Sequence, residues 1–281
     1  MSALIDRMRR EGLDLVNAPT EGPGHATEIV RAFLGKGVEV VAVCGGDGTI
    51  SEAACGLAGA QVPLAVLPGG TSNVLARELG IPLDIPSAAG LLRTGRTRRV
   101  RLLAANGRPF LLWVGAGIDA RIMARVRPGL KRWLGRAGIF VTCAAEYARY
   151  EFPRLEVTVD GAPHGATFAV VCHARHYAGD WVIAPEASIE SDSMEAMLFS
   201  GTNLWQLLVL FKQMQLKKSG HLRLPEVEIV RGREITIRSL ERYAVEAHAD
   251  GDAVLETPLT CRVLPDTVAI LVSADETGPP R

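Results

Sequence analysis

Two hydrophobic rhythms divide the chain. In the first third, short apolar runs alternate with glycine turns and helical spacing. Val38 to Val43 is apolar and mostly β-branched, which predicts a strand buried on both faces and of the parallel kind. It ends at Gly45-Gly46-Asp47-Gly48-Thr49, and an alanine-rich helical pattern follows with Glu52 near its start. Pro63 to Leu67 predicts a second strand, ending in Pro68-Gly69-Gly70-Thr71-Ser72-Asn73. Val74 to Leu79 then has helical spacing, closed by Gly80 and Pro82. Upstream, residues 3–11 read as a helix and Leu13 to Val16 as a short strand. From Val100 onward the period becomes two, in stretches such as FLLWVGAGI and EVEIVRGREITIRS. VDGAP and ADGDA read as hairpin turns within it. The expectation is an α/β N-terminal domain with a parallel sheet over residues 1–98, then an all-β C-terminal sandwich over 99–264. The basic run RTGRTRRVR near the boundary reads as a solvated linker.

Composition narrows the partners. With 31 basic and 31 acidic side chains among 281 residues the formal net charge is zero, so nothing global draws the chain to nucleic acid. Cys44, Cys55, Cys143, Cys172 and Cys261 lie in apolar contexts without metal-like spacing and read as buried free thiols. No run reaches the ~20 apolar residues that span a bilayer. A cytoplasmic protein is expected, with peripheral contact at the inner membrane surface compatible with it. The oligomeric state stays open, an oligomer included.

Candidate chemistry lies in the two glycine turns. Three glycines in four positions remove the Cβ atoms that would keep a ligand from the backbone. Free N–H groups at the following helix start suit a phosphate. Two consecutive strand–loop–helix units put both loops at the carboxyl ends of neighbouring parallel strands. Asp47 is the only carboxylate in its loop and reads as a group working through Mg²⁺ or on an attacking hydroxyl; a plain helix cap is the alternative.

At this point GGDGT, Glu52 and PGGTSNVLARELGIP resemble the diacylglycerol kinase catalytic-domain family, which includes bacterial lipid kinases and sphingosine kinases. The resemblance implies the same two-domain plan, with nucleotide between the domains, lipid held by the β domain, and residues 265–281 returning to the first domain. It implies ATP and Mg²⁺ as cofactors and a lipid substrate at a membrane surface. Gly45, Gly46, Gly48, Thr49 and Glu52 would lie on the nucleotide, with Gly70, Thr71 and Asn73 opposite and Thr20, from the family's Thr-x-x-x-Gly-His-Ala segment, nearby. Asp250-Gly251-Asp252 resembles the family's Asp-Gly-Asp hairpin, which makes Asp252 a catalytic partner of Asp47. Asp192 stands where relatives hold a structural Mg²⁺ with two backbone carbonyls, here those of Ile189 and Met194. Val74 replaces an aspartate that many relatives carry, and the family's first strand has no counterpart here.

Other features stay divided. The basic stretch ARVRPGLKRWLGRAG suits an anionic membrane or a surface helix with a buried Trp. The stripe at 204–218 reads as core or as cover for a lipid site. His173 and His176 on one strand would face opposite sides, which argues against a metal pair. The reading is an ATP-dependent lipid kinase. A catalytically decayed lipid- or nucleotide-binding protein and an NAD kinase are the alternatives.

Overall fold

The computed structural model describes residues 2–125, 146, 149–216, 219–251 and 253–274. Helices α1 (Ser2–Arg10) and α2 (His25–Phe33) precede β1 (Val41–Gly45), α3 (Asp47–Gly56), β2 (Leu64–Pro68), α4 (Val74–Glu78) and α5 (Ile85–Thr94). β1 and β2 pair in parallel, Val41 opposite Leu64 and Gly45 opposite Pro68, as the two apolar runs require. β1 is nonetheless an edge strand, with Ala42 exposed, because among the described residues only β2 pairs with it. Residues 13–16 form no strand. Leu64 to Leu67, Ile50, Ala53, Ala54 and Leu57 form the core that seats α3 on the sheet.

The basic run is no linker. β3 (Arg96–Ala105) is one unbroken strand, and the boundary read at Arg98 falls inside it. Val100 and Leu102 point into the core while Arg99 and Arg101 turn to the other face, more open to water, and arginines at 96 and 98 on the first face hide the alternation. Its antiparallel partner β16 (Leu259–Val272) is longer still, at 14 residues against 10. Val263 and Thr267 bracket a register shift at Pro265, which has no N–H to give a ladder. Before the shift, Leu259 and Cys261 pack in the sandwich; after it, Val268, Ile270 and Val272 pack with the N-terminal core. Ile270 lies opposite Leu64 in parallel, so the chain's last strand joins the first sheet. β3 and β16 are thus a spine common to both halves.

The rest is antiparallel. β4 (Arg108–Phe110), β6 (Leu155–Val159), β7 (Ala162–Ala166) and β13 (Glu234–Ser239) extend the first sheet. β12 (Val227–Gly232), β11 (Met194–Phe199), β8 (Phe168–Cys172), β5 (Trp113–Ala116), β14 (Glu246–Ala249) and β15 (Ala253–Glu256) form the second, in that spatial order. Alternation shows which face goes where. Met194, Ala196 and Leu198 fill the sandwich interior, and Met197 and Phe199 turn to the other core. There α7 (Leu204–Leu216) covers the sheet with Leu207, Leu210 and Met214. The two Asp-Gly pairs in VDGAP and ADGDA turn hairpins with positive φ at each residue, 46° and 91° at Asp160-Gly161 and 50° and 85° at Asp250-Gly251. Cys44, Cys55, Cys172 and Cys261 are free thiols; Cys143 and most of the basic stretch after α6 (Ile118–Arg125) lie outside the described residues.

Candidate active site

The two glycine loops lie against each other. Gly69 N–H donates to Gly45 O at 2.9 Å. A Cβ on Gly70 would sit 2.6 Å from Gly46 Cα and 2.9 Å from Asn73 Oδ1, so only glycine allows this contact of backbone on backbone. Asn73 adopts left-handed φ of 48° and ties its own loop, its Oδ1 accepting from Gly70 N at 2.9 Å and its Nδ2 donating to Gly70 O at 3.1 Å. Thr49 leans over Gly45, and Thr71 is exposed at the tip of its loop.

Asp47 opens α3 and links the loops. Its Oδ1 accepts from Leu75 N at 3.1 Å, at the start of α4. Its other oxygen has no partner among the described residues, and the side chain is half-buried beside Gly46 and Gly48. A carboxylate anchored by one oxygen and open at the other can accept a proton or bind a cation. Glu52 is engaged elsewhere: its oxygens accept from Gly24 N at 2.6 Å and Ala26 N at 3.3 Å, capping the start of α2. Thr27 returns a hydroxyl bond to Glu52 O at 2.7 Å. The Gly24–Thr27 segment is thereby fastened to α3, and Thr20 lies exposed in the stretch before it. His25 accepts from Glu21 N through Nδ1 at 3.0 Å.

The β-sandwich reaches this site through Asp250. Its buried carboxylate accepts from the N–H groups of Leu111, Leu112 and Trp113 at 2.7, 2.8 and 3.0 Å, and from the Ser51 hydroxyl. Ser51 lies one helical turn after Asp47, on the same face of α3. The β14–β15 hairpin is therefore pinned against the face that carries Asp47. Burial pushes the Asp250 carboxyl upward, opposed by the Ser51 hydroxyl and the three amides. Burial with the Asp250 charge also lifts the Cys55 thiol, one turn further along α3, to about 12, which leaves it inert.

A second buried group steadies the same hairpin. His248 Nδ1 accepts from Gly251 N at 3.1 Å, which puts its proton on Nε2, facing Asp119 Oδ2 at 2.5 Å. Tyr177 donates its hydroxyl to the other oxygen of Asp119. Gly115 leaves the space for this, since a Cβ there would fall 2.1 Å from Asp119 Oδ2. Tyr177 begins the turn of the small hairpin β9 (His176–Tyr177) and β10 (Trp181–Val182). Its neighbour His176 binds Glu78, at the end of α4, with Nδ1 at 2.6 Å. The two halves are joined on both sides of the glycine loops.

Of the residues singled out in the sequence, the loops, Asp47 and Asn73 come together. Asp252, two residues beyond Asp250 in that hairpin, lies outside the described residues. At the proposed Asp192 metal set, Arg233 pairs with the exposed Asp192 carboxylate, and Ile189 O accepts from Arg101 N at 2.9 Å. Met194 is inside the β11 ladder opposite Gly232. Among the described residues no cluster of three His, Cys, Asp or Glu could hold a metal, and His173 and His176 point to separate partners. Ser51 and His248 were not picked out by sequence, because their partners lie 199 and 129 residues away.

Paired glycine loops on a parallel sheet, joined to a β-sandwich through shared strands, define a two-domain architecture. The family described as the diacylglycerol kinase catalytic domain matches residues 1–105, and the YegS C-terminal NAD kinase beta sandwich-like domain matches residues 113–272. The chain belongs to the diacylglycerol kinase catalytic-domain family. It is 28% identical over 279 residues to a protein of Mycobacterium tuberculosis named diacylglycerol kinase, covering 95% of this chain and 87% of that one. It is 30% identical over 200 residues to a Pseudomonas aeruginosa protein named "Probable lipid kinase YegS-like", covering 70% and 66%. Its fold matches a crystal structure of a diacylglycerol kinase from Bacillus anthracis with a TM-score of 0.67 at 23% identity, over 91% of this chain and 84% of that one.

Proposed function

We propose that this protein is an ATP-dependent lipid kinase that transfers the γ-phosphoryl group to a lipid hydroxyl. The observation that carries the reading is the contact of the two glycine loops, with the Asp47 carboxylate anchored across them and one oxygen open. The names of the relatives agree with it. The N–H groups of the Gly46–Thr49 helix start, together with the Gly70–Asn73 loop, would take the phosphate tail. Asp47 is the residue of this chain that would hold a Mg²⁺, which when bound would neutralise phosphate charge. The acceptor hydroxyl oxygen attacks the γ-phosphorus, the bond to the β,γ-bridging oxygen breaks, and ADP leaves. The hydroxyl proton passes to a carboxylate, with Asp47 or Asp252 as candidates. Such a reaction asks mainly for positioning, which the Asp250 and His248 anchors of the hairpin supply.

One observation favours the decayed-binder reading: Val74 is fully buried and apolar where many relatives carry an aspartate, so it offers no ligand. The test is transfer of label from γ-labelled ATP to a panel of diacylglycerol, monoacylglycerol, sphingoid base and phosphatidylglycerol, with NAD as a further acceptor. The kinase reading expects a labelled lipid and unlabelled NAD. Nucleotide binding without transfer to any lipid would leave the binder reading, and labelled NAD would point to the NAD kinase.

A further inference from the structure

We infer that the outer face of α7 is the surface by which this protein docks on an anionic lipid bilayer. The helix is two-sided in an uncommon way. Leu207, Leu210 and Met214 are buried against the second sheet, as a surface helix requires. The opposite face should be polar, yet its first two turns carry Leu204, Trp205 and Leu208, which are 39%, 73% and 44% exposed. One turn on, the row becomes cationic at the exposed Lys212. The short 3-10 turn Gly220–Arg223 packs beside α7 and adds exposed Leu222 and Arg223.

This order of side chains is that of an interfacial helix, with an aromatic ring and leucines to enter the acyl boundary and cations to meet lipid phosphates. Neither α7 nor the 3-10 turn contains an acidic residue. Lys212 and Arg223 make no ion pair among the described residues, so their charge is free for a partner. A second copy seated on the same patch would set these cations against their own images, which disfavours it. No helix among the described residues is long and apolar enough to cross a membrane, so contact through α7 would lie in the interface plane.

Its place in the fold gives the surface a purpose. α7 packs on β10, and its hairpin mate β9 holds Glu78 of α4 through His176. One small hairpin thus separates the proposed bilayer face from the helix that follows the second glycine loop. For that purpose, though not for its observable, the inference rests on the lipid-kinase reading.

The experiment is co-sedimentation of the full chain with phosphatidylcholine vesicles, with and without phosphatidylglycerol. Wild type should sediment with the anionic vesicles, and a Trp205→Ser/Leu208→Ser variant roughly tenfold less. A Lys212→Gln/Arg223→Gln variant should lose the preference for phosphatidylglycerol. Trp205→Phe should still bind while losing the blue shift of tryptophan emission on vesicles. Because these side chains are exposed, the fold should persist, which thermal melting checks. Failure of wild type to bind, or equal binding by wild type and the Trp205/Leu208 variant, would overturn the inference. So would a dimer in sedimentation velocity that this variant dissolves without any effect on vesicles. If transfer is found, the variant should lose activity on vesicle-embedded lipid and keep it on a dispersed short-chain acceptor. If no acceptor is phosphorylated, the kinase reading fails while sedimentation still decides the docking.

Discussion

At the scale of single residues, the site depends on what is missing from Gly70 and on what Asp47 keeps free. A methyl at Gly70 would lie 2.6 Å from Gly46 Cα, and backbone cannot yield as a side-chain tip can. Gly70→Ala must therefore part the loops. Turnover should fall by about 10²-fold, the usual effect of an ångström-scale misplacement, with ATP affinity weakened. Steady-state kinetics and calorimetry would check it, and unchanged values would mean that the close contact is not needed. The glycine pattern was legible in the sequence because the space between the loops demands that residue type. The role of Glu52 was not. Its sequence position three residues after Gly-Thr suggested ligand, whereas its oxygens are bonded to the amides of Gly24 and Ala26, 28 and 26 residues upstream.

Among the elements, the β14–β15 hairpin is the joint between halves. Asp250 receives four donors and gives none, so it needs both oxygens as acceptors. Asp250→Asn turns an NH₂ toward backbone N–H groups and leaves buried donors unsatisfied, at about 1–3 kcal/mol each. Urea unfolding should show a loss of at least about 2 kcal/mol; a loss under about 0.5 kcal/mol would contradict the clamp. From sequence alone, Asp250 was read as half of a turn signal, which it is; Asp160 makes the same turn and spends its carboxylate on Arg233 and Glu234 amides. Local pattern fixes such a turn, and only the fold decides which amides meet the carboxylate. β3 was hidden for the opposite reason. Arginines on both of its faces masked a period of two whose buried side is Val100 and Leu102. At Asp192 the fold sets Arg233 against the carboxylate from 41 residues away, a partner no local pattern reveals.

For the whole molecule, β3 and β16 tie both cores into one structure, so stability is shared and its pH dependence reports on both. His173 and His221 are fully buried, donating from Nε2 to Ser191 O at 3.1 Å and Ile183 O at 3.0 Å. Burial holds both below the ordinary histidine range. A depressed imidazole is neutral in the fold but takes a proton in the unfolded chain, so its contribution is lost as pH falls below about 6.5. His173→Gln/His221→Gln should flatten the change in unfolding free energy between about pH 7.5 and 5.5 relative to wild type. Parallel slopes would show that these groups do not titrate on unfolding. The Asp250 contacts hold the β14–β15 hairpin against the helix face that carries Asp47, and the proposed chemistry rests on the Asp47 carboxylate. The decisive measurement is single-turnover transfer of label from γ-labelled ATP to the accepted lipid by wild type and Asp47→Asn, with melting curves matched. Asparagine keeps the acceptor for Leu75 N–H and removes only the charge and the proton site. Transfer should fall by about 10²–10⁴-fold with the melting temperature unchanged; transfer at the wild-type rate would contradict the account.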